Sequence, residues 1–199
     1  MKIPKSLFAL SCSLAAIIFA QNAFGTFVDA TLISSLYDVP FSITAGDGEV
    51  DCEVYQHDIT GEYLYTYQIT NLTSSVSFSF FSVGIVDGLS AYAPGYDVNP
   101  FSSDINPVFY TVTGWPVQTV DYVFSETIGI GQQSSVLFFK SIDAPGLGRA
   151  TLYSSNMSAT NNVLVPIPEP ATIMLLGSAG LWILGRKRKE LTKNPACRR

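Results

Sequence analysis

Four carboxylates alternate along a short stretch of the chain around Cys52. If this stretch is a β-strand, whose successive side chains point to opposite faces, all four lie on one face. Carboxylate oxygens are ligands that Ca²⁺ prefers, although an EF-hand loop needs glycine at its sixth position, where this stretch has Cys52. A solvated edge strand protected by charge is the favoured alternative. The row consists of Asp47, Glu49, Asp51 and Glu53, and continues with Tyr55 and His57.

The long connection over residues 87–107 is a second candidate site. Loops longer than about 12–15 residues tend to be functional or disordered. Aromatic rings can stack on a sugar ring while amides and carboxylates bind its hydroxyl groups, so the loop could bind carbohydrate. A surface loop anchored by its aromatic side chains is the favoured alternative. The side chains concerned are Tyr92, Tyr96, Asp97, Asn99, Phe101, Asp104 and Asn106.

A hydrolytic centre would have to use His57, the only histidine in the chain. His57 and Asp58 could be combined with one of many serines as a Ser-His-Asp triad. However, the sequence contains no Gly-x-Ser-x-Gly nucleophile elbow. We therefore expect a protein that is not an enzyme, with no catalytic residue, no cofactor and no bound metal.

The elements that must position these residues are β-strands. Apolar and polar residues alternate over residues 63–71, and the next segment changes phase at Phe80 and Phe81, which predicts a β-bulge or a strand that crosses between sheets. No helical periodicity of useful length occurs in this part of the chain. The pattern predicts an all-β fold, an antiparallel β-sandwich or jelly roll. The other candidate strands are residues 30–36, 50–57, 108–112, 117–124, 134–141 and 149–153.

The charges are divided unevenly along the chain. Of the 16 acidic residues all but Glu169 and Glu190 lie between Thr26 and Val165, where the only cations are Lys140 and Arg149, so the net charge of that segment is −12. Such a segment repels nucleic acid and anionic lipid. Nucleic acid is therefore excluded as a partner.

One cysteine lies in the same segment, because Cys12 and Cys197 belong to the ends of the chain. Cys52 shares a strand face with Val50 and Val54 on the alternation rule. We expect it to be buried and inert.

The amino-terminal segment has the composition of a secretory signal peptide. Lys2 and Lys5 precede an apolar stretch over residues 7–20, and Ala23-Phe24-Gly25 provides a cleavage site of the small-x-small type. We assign residues 1–25 to this signal and expect export through the Sec machinery.

The carboxyl-terminal segment combines three features in order. Pro168, Glu169 and Pro170 form an extended and exposed stretch, because proline disfavours helix before it. An uncharged run over residues 171–185 follows, about 22 Å long as a helix and therefore short for a bilayer core of ~30 Å. A basic cluster then marks the cytoplasmic side of a membrane segment, before a cytoplasmic tail over residues 190–199. The cluster is Arg186, Lys187, Arg188 and Lys189.

This tail resembles the carboxyl end of bacterial PEP-CTERM proteins, the substrates of exosortase. The resemblance rests on residues 165–172, the apolar run and the basic cluster; the same signature has been labelled an ice-binding protein C-terminal domain. It implies that a membrane-embedded processing enzyme recognises Pro168, Glu169 and Pro170 and cuts nearby. The helix would then hold the protein in the inner membrane transiently, before transfer to the cell envelope or the extracellular space.

The resulting domain organisation has a β-sandwich ectodomain over residues 26–153, a linker over 154–167 and a sorting signal over 168–189. We expect an exported protein with a structural or adhesive role in the envelope or extracellular matrix, where extracellular polysaccharide would be a further partner. A carbohydrate- or Ca²⁺-binding surface module is one alternative. A permanently membrane-anchored protein of unknown activity is the other.

Overall fold

This computed structural model describes residues 29–43, 46–74, 76–86, 88–97, 103–114, 118–155 and 157–168. Ten β-strands form from these residues. The chain divides into two compact units, Met1–Ile167 and Pro168–Arg199, and apart from Pro168 every described residue belongs to the first. We call the described part of this first unit the body. Its strands are β1 (Ala30–Ile43), β2 (Gly46–His57), β3 (Tyr63–Ser74), β4 (Phe78–Ile85), β5 (Tyr92–Tyr96), β6 (Pro107–Thr113), β7 (Gln118–Ile128), β8 (Leu137–Ser141), β9 (Pro145–Ser154) and β10 (Ser158–Pro166).

The strands form two five-stranded sheets, and all neighbouring strands within a sheet are antiparallel. The first sheet has the order β1-β2-β3-β8-β5 and the second the order β10-β9-β4-β7-β6. Hairpins join β1 to β2, β2 to β3, β6 to β7 and β9 to β10, while the other connections pass from one sheet to the other. No helix occurs among the described residues. The all-β prediction is confirmed, with two antiparallel sheets that pack on a shared core.

The core is formed by the inward faces of both sheets. On β3, Tyr65, Tyr67 and Ile69 are buried in this core, as the alternation predicts, while Leu64 and Thr66 are buried as well, although they lie on the other face of the strand. The Tyr67 ring lies 5.7 Å from that of Phe81 in the other sheet. Among the described residues, the buried apolar ones lie between Phe41 and Val165, so the body contains a core of its own and we expect it to fold alone.

Buried tyrosines also link the two sheets by hydrogen bonds. The Tyr67 hydroxyl group on β3 donates to the Leu164 carbonyl on β10 at 2.5 Å. In the opposite direction, the Tyr122 hydroxyl group on β7 donates to the Phe138 carbonyl on β8 at 2.7 Å. Burial raises the pKa of both phenols far above the ordinary value. These hydroxyl groups therefore stay protonated and keep donating.

The predicted phase change in β4 is a β-bulge, and the strand stays within one sheet. Pairing with β9 shifts register between Phe78 and Phe80, so Phe78 and Phe81 both face the core although they lie three residues apart. On the other side of β4, Phe78 pairs with Ile128 of β7 and Phe80 pairs with Val123, and residues 124–127 of β7 lie between these two pairs. Ser125 and Glu126 are exposed there. The bulge therefore also shapes the neighbouring strand.

The prediction of a linker over residues 154–167 is wrong. Residues 158–166 form β10, which pairs with β9 along its whole length. Val163 and Val165 are inaccessible to solvent, and the Ile167 amide donates to the Ala144 carbonyl at 3.0 Å. The β domain therefore reaches Ile167, because the apolar end of this segment completes the core.

Several predicted segments lie outside the described residues. They are the signal peptide over 1–25, the membrane helix over 171–185, the basic cluster Arg186, Lys187, Arg188 and Lys189, and the tail over 190–199. Within the described part of the chain, no helix has the length and apolarity needed to span a membrane.

Candidate functional site

The two sheets meet differently at their two lateral sides. On the side that we call closed, β1 of the first sheet lies along β10 of the second, and the Asn161 side-chain amide donates to the Pro40 carbonyl at 2.6 Å. On the side that we call open, the edge strands β5 and β6 make fewer contacts with one another. A cleft of about 560 Å³ lies on the open side, within the size range of small-molecule sites.

The cleft combines aromatic, amide and carboxylate side chains. The Tyr96 ring of β5 and the Tyr110 ring of β6 are 5.9 Å apart in an edge-to-face arrangement. Tyr110 remains 40 % exposed, so part of its ring is accessible to a ligand. The described residues that line it are Tyr96, Asp104, Ile105, Asn106, Pro107, Val108, Tyr110, Ser125 and Glu126.

The segment before β6 is anchored by the chain that leads into β8. The Ile105 amide donates to the Gln133 carbonyl at 2.9 Å, and the Ser135 amide donates to the Ile105 carbonyl at 3.1 Å. The Gln133 side chain donates to an Asp104 carboxylate oxygen at 3.0 Å. One wall of the cleft is therefore held by backbone and side-chain hydrogen bonds.

The cleft includes three residues of the predicted carbohydrate-binding loop, namely Tyr96, Asp104 and Asn106. Tyr92 lies elsewhere, where its hydroxyl group donates to Glu62 at 2.6 Å. Burial, and then this hydrogen bond to a carboxylate, raise the Tyr92 pKa to about 12. Asn99 and Phe101 lie outside the described residues.

Sequence reasoning missed Tyr110, Ser125 and Glu126. Tyr110 belongs to an edge strand, while Ser125 and Glu126 lie where β7 departs from its pairing with β4. These residues join the cleft through tertiary structure. The phase change at Phe80 and Phe81 was the one signal in the sequence that pointed to this irregularity.

The acidic row does lie on one face of β2, but β2 is not an edge strand, because it is paired with β1 and β3. The Asp51 carboxylate accepts from the Asp38 amide at 2.8 Å. Glu53 accepts from the hydroxyl groups of Tyr37 and Tyr55, each at 2.5 Å. The prediction of a charged edge is therefore wrong, and the row forms part of the outer face of the first sheet.

Burial raises the pKa of Asp51, as do the nearby charges of Asp38 and Glu53, against the opposing effect of the Asp38 amide. The pKa of Glu49 is raised by burial and by the charges of Asp38 and Asp51. No set of three histidine, cysteine or acidic side chains suited to a metal ion occurs among the described residues. The row is therefore a region of like-charge repulsion.

His57 has a local structural role. Its Nδ1 atom accepts hydrogen bonds from the backbone amides of Ile59 and Thr60 at 3.2 and 3.1 Å. Asp58 instead accepts from the Thr31 hydroxyl group at 2.9 Å. The two bonds from Ile59 and Thr60 occupy Nδ1, the nitrogen that would donate to the aspartate in a Ser-His-Asp triad, and they hold His57 at the turn between β2 and β3.

Cys52 is buried as expected and faces the core. Burial raises its pKa to about 11, so the thiolate form that reacts with electrophiles is scarce at neutral pH.

The sorting segment begins where the body ends. Pro168 is exposed and directly follows Ile167, the last residue of the first unit. Glu169 and Pro170 lie outside the described residues. No curated protein matches this chain. Residues 166–189 match the PEP-CTERM protein-sorting motif, which implies exosortase processing of a secreted protein that passes through the membrane.

Proposed function

We propose that the protein is a structural or adhesive component of the cell envelope or extracellular matrix, without enzymatic activity, which exosortase releases from a transient inner-membrane position. The match to the sorting motif at residues 166–189 carries the proposal. The body supports it, because an independent core ends at Val165, directly before the motif. A cut at or beyond Pro168 would leave all ten strands together.

Replacement of the motif glutamate tests the sorting step. A tagged full-length chain is followed in a host with and without the sorting enzyme, as wild type, Glu169→Ala and Glu190→Ala. Glu190 is the matched control, because it is the other glutamate of the tail and lies outside the matched residues. We expect release that needs the enzyme and is lost in Glu169→Ala alone. Release indifferent to both changes would contradict the proposal, and retention under every condition would favour permanent anchoring.

Carbohydrate binding in the cleft is a second candidate function. The partly exposed ring of Tyr110, next to Tyr96 and the Asn106 amide, is the observation that favours it. Among the described residues that line the cleft there are two carboxylates, Asp104 and Glu126, and no cation, so an uncharged sugar suits it better than an acidic one.

Binding is measured by retention of the purified body on neutral polysaccharide. Stacking of an aromatic ring is worth ~0.5–1.5 kcal/mol, so Tyr110→Ala should weaken binding by about 2- to 10-fold. Tyr37→Ala is the matched control, because Tyr37 is an exposed tyrosine on β1, on the closed side. Equal retention of the two variants would exclude the cleft as the binding site.

A further inference from the structure

The edge strand β6 differs from the other three edges of the sheets. An unpaired edge invites pairing with another strand, and proteins protect such edges with bulges, prolines, charges or covering segments. β1 has two register shifts, after Leu32 and after Leu36, and Asp38 at a φ of 56°. β5 has five residues, including Pro94. β10 lies against β1, to which Asn161 is hydrogen-bonded.

β6 has one proline, Pro107, and one register shift, between Pro107 and Phe109, and beyond that start it has none of these protections. It pairs with β7 on one side and has no strand on the other in the described part of the chain. Its register is continuous from Phe109 to Thr113. Val108 and Phe109 are 62 % and 56 % exposed, and no charged residue occurs from Pro107 to Val120.

The closest carboxylate in sequence after this stretch is already hydrogen-bonded. Asp121 on β7 accepts from the hydroxyl groups of Ser82, Thr113 and Thr119 at 2.6, 2.7 and 3.1 Å. These bonds satisfy the carboxylate within the second sheet. The side chains of β6 itself are apolar or carry hydroxyl groups, while the carboxylates of Asp104 and Glu126 line the cleft beside Val108 and Tyr110.

We propose that β6 pairs antiparallel with β6 of a second copy of this chain, about a two-fold axis near Tyr110. This pairing places Val108 opposite Val112 and Phe109 opposite Thr111, so apolar and β-branched side chains face one another and no like charges meet. Elsewhere the segment from Thr26 to Val165 carries a net charge of −12, which opposes self-association over its other surfaces. β6 itself carries no charged side chain, so two such bodies meet less repulsion there than over their other surfaces. This pairing goes beyond the proposed sorting and does not depend on it.

The mass of the purified body in solution tests the proposal. Sedimentation equilibrium is measured from about 1 µM to about 1 mM, for wild type, Val108→Lys, Phe109→Lys and Ile59→Lys. Lysine on an edge strand blocks pairing, whereas Ile59 lies in the turn between β2 and β3 and is 80 % exposed. The three variants introduce the same charge at exposed apolar positions, and circular dichroism checks that each is folded.

We expect wild type and Ile59→Lys to form dimers and both β6 variants to dimerise at least about tenfold more weakly. Added salt should strengthen the wild-type dimer, because it screens the repulsion between two acidic bodies. A wild-type mass of one chain at every concentration would overturn the proposal. So would association that the β6 substitutions leave unchanged, since another surface would then be responsible.

Discussion

The closed and open sides of the body are formed by edge strands of the same two sheets, yet they differ in what they contribute. On the closed side β10 adds buried Val163 and Val165 to the core, and its Leu164 carbonyl accepts from Tyr67 across the sheets. On the open side β5 and β6 leave a cleft with exposed aromatic surface. The comparison teaches that the closed side adds buried side chains to the core, while the open side leaves aromatic surface exposed.

Removal of β10 should have the largest effect. Burial of Val163, Leu164 and Val165 contributes ~1.5–3 kcal/mol each, so a body that ends at Met157 should lose roughly 5 kcal/mol or more, comparable to the whole stability of a domain. A body that ends at Pro168 is the control and should match the longer chain. Urea unfolding measures both. A folded and equally stable 26–157 body would show that the closed side is dispensable.

Loss of a single hydrogen bond between the sheets should cost less. Tyr67→Phe removes the donor to the buried Leu164 carbonyl, and we expect the free energy of unfolding to fall by about 1–2 kcal/mol. Tyr37→Phe removes a hydroxyl group that donates to Glu53 on the outer face, and should change stability by less than about 0.5 kcal/mol. Chemical denaturation compares them. Equal effects would mean that the buried bond adds nothing to the closed side.

Removal of one charge from the acidic row on the first sheet should have the smallest effect on stability. Burial first, together with nearby carboxylates, raises the Asp51 pKa, so the folded state binds this proton more tightly than the unfolded state. The stability that this proton contributes is present below the ordinary carboxyl pKa of about 4, and it is lost as the pH rises through the raised pKa of Asp51. Asp51→Asn should therefore stabilise the body by roughly 0.5 kcal/mol at neutral pH and reduce the fall in stability above pH ~4.

Thermal unfolding between pH 4 and pH 8 measures this change. The asparagine can still accept from the Asp38 amide, so the local geometry is kept. Asp58→Asn is the control, because Asp58 lies in a turn outside the row. A wild-type stability that rises with pH in this range, or an identical gain from Asp58→Asn, would contradict the account of the row.

Much of the fold could be predicted from residue patterns, because alternation is a local property. The strand over residues 63–71 and the phase change at Phe80 and Phe81 were visible in this way. β5 was missed because it is short and contains Pro94 and Gly95. β10 was missed because its first half, over residues 158–162, is mostly polar; its place depends on pairing with β9 and on contacts with the distant β3.

The candidate site was only half predictable for a related reason. Tyr96, Asp104 and Asn106 belong to one conspicuous loop, whereas Glu126 reaches the cleft because β7 departs from its pairing with β4. The acidic row was correctly placed on one face. Its position inside the sheet depends on which strands pair, and local alternation does not specify that.

The mass of the released protein tests the central claim most directly, namely that a complete body with ten strands is cut from a sorting tail that follows it without a linker. Intact-mass spectrometry of the protein recovered outside a host with the sorting enzyme gives its final residue. We predict a carboxyl terminus at or beyond Pro168, with β10 intact. A terminus within residues 158–166, or no shortened product when the enzyme is present, would contradict the account.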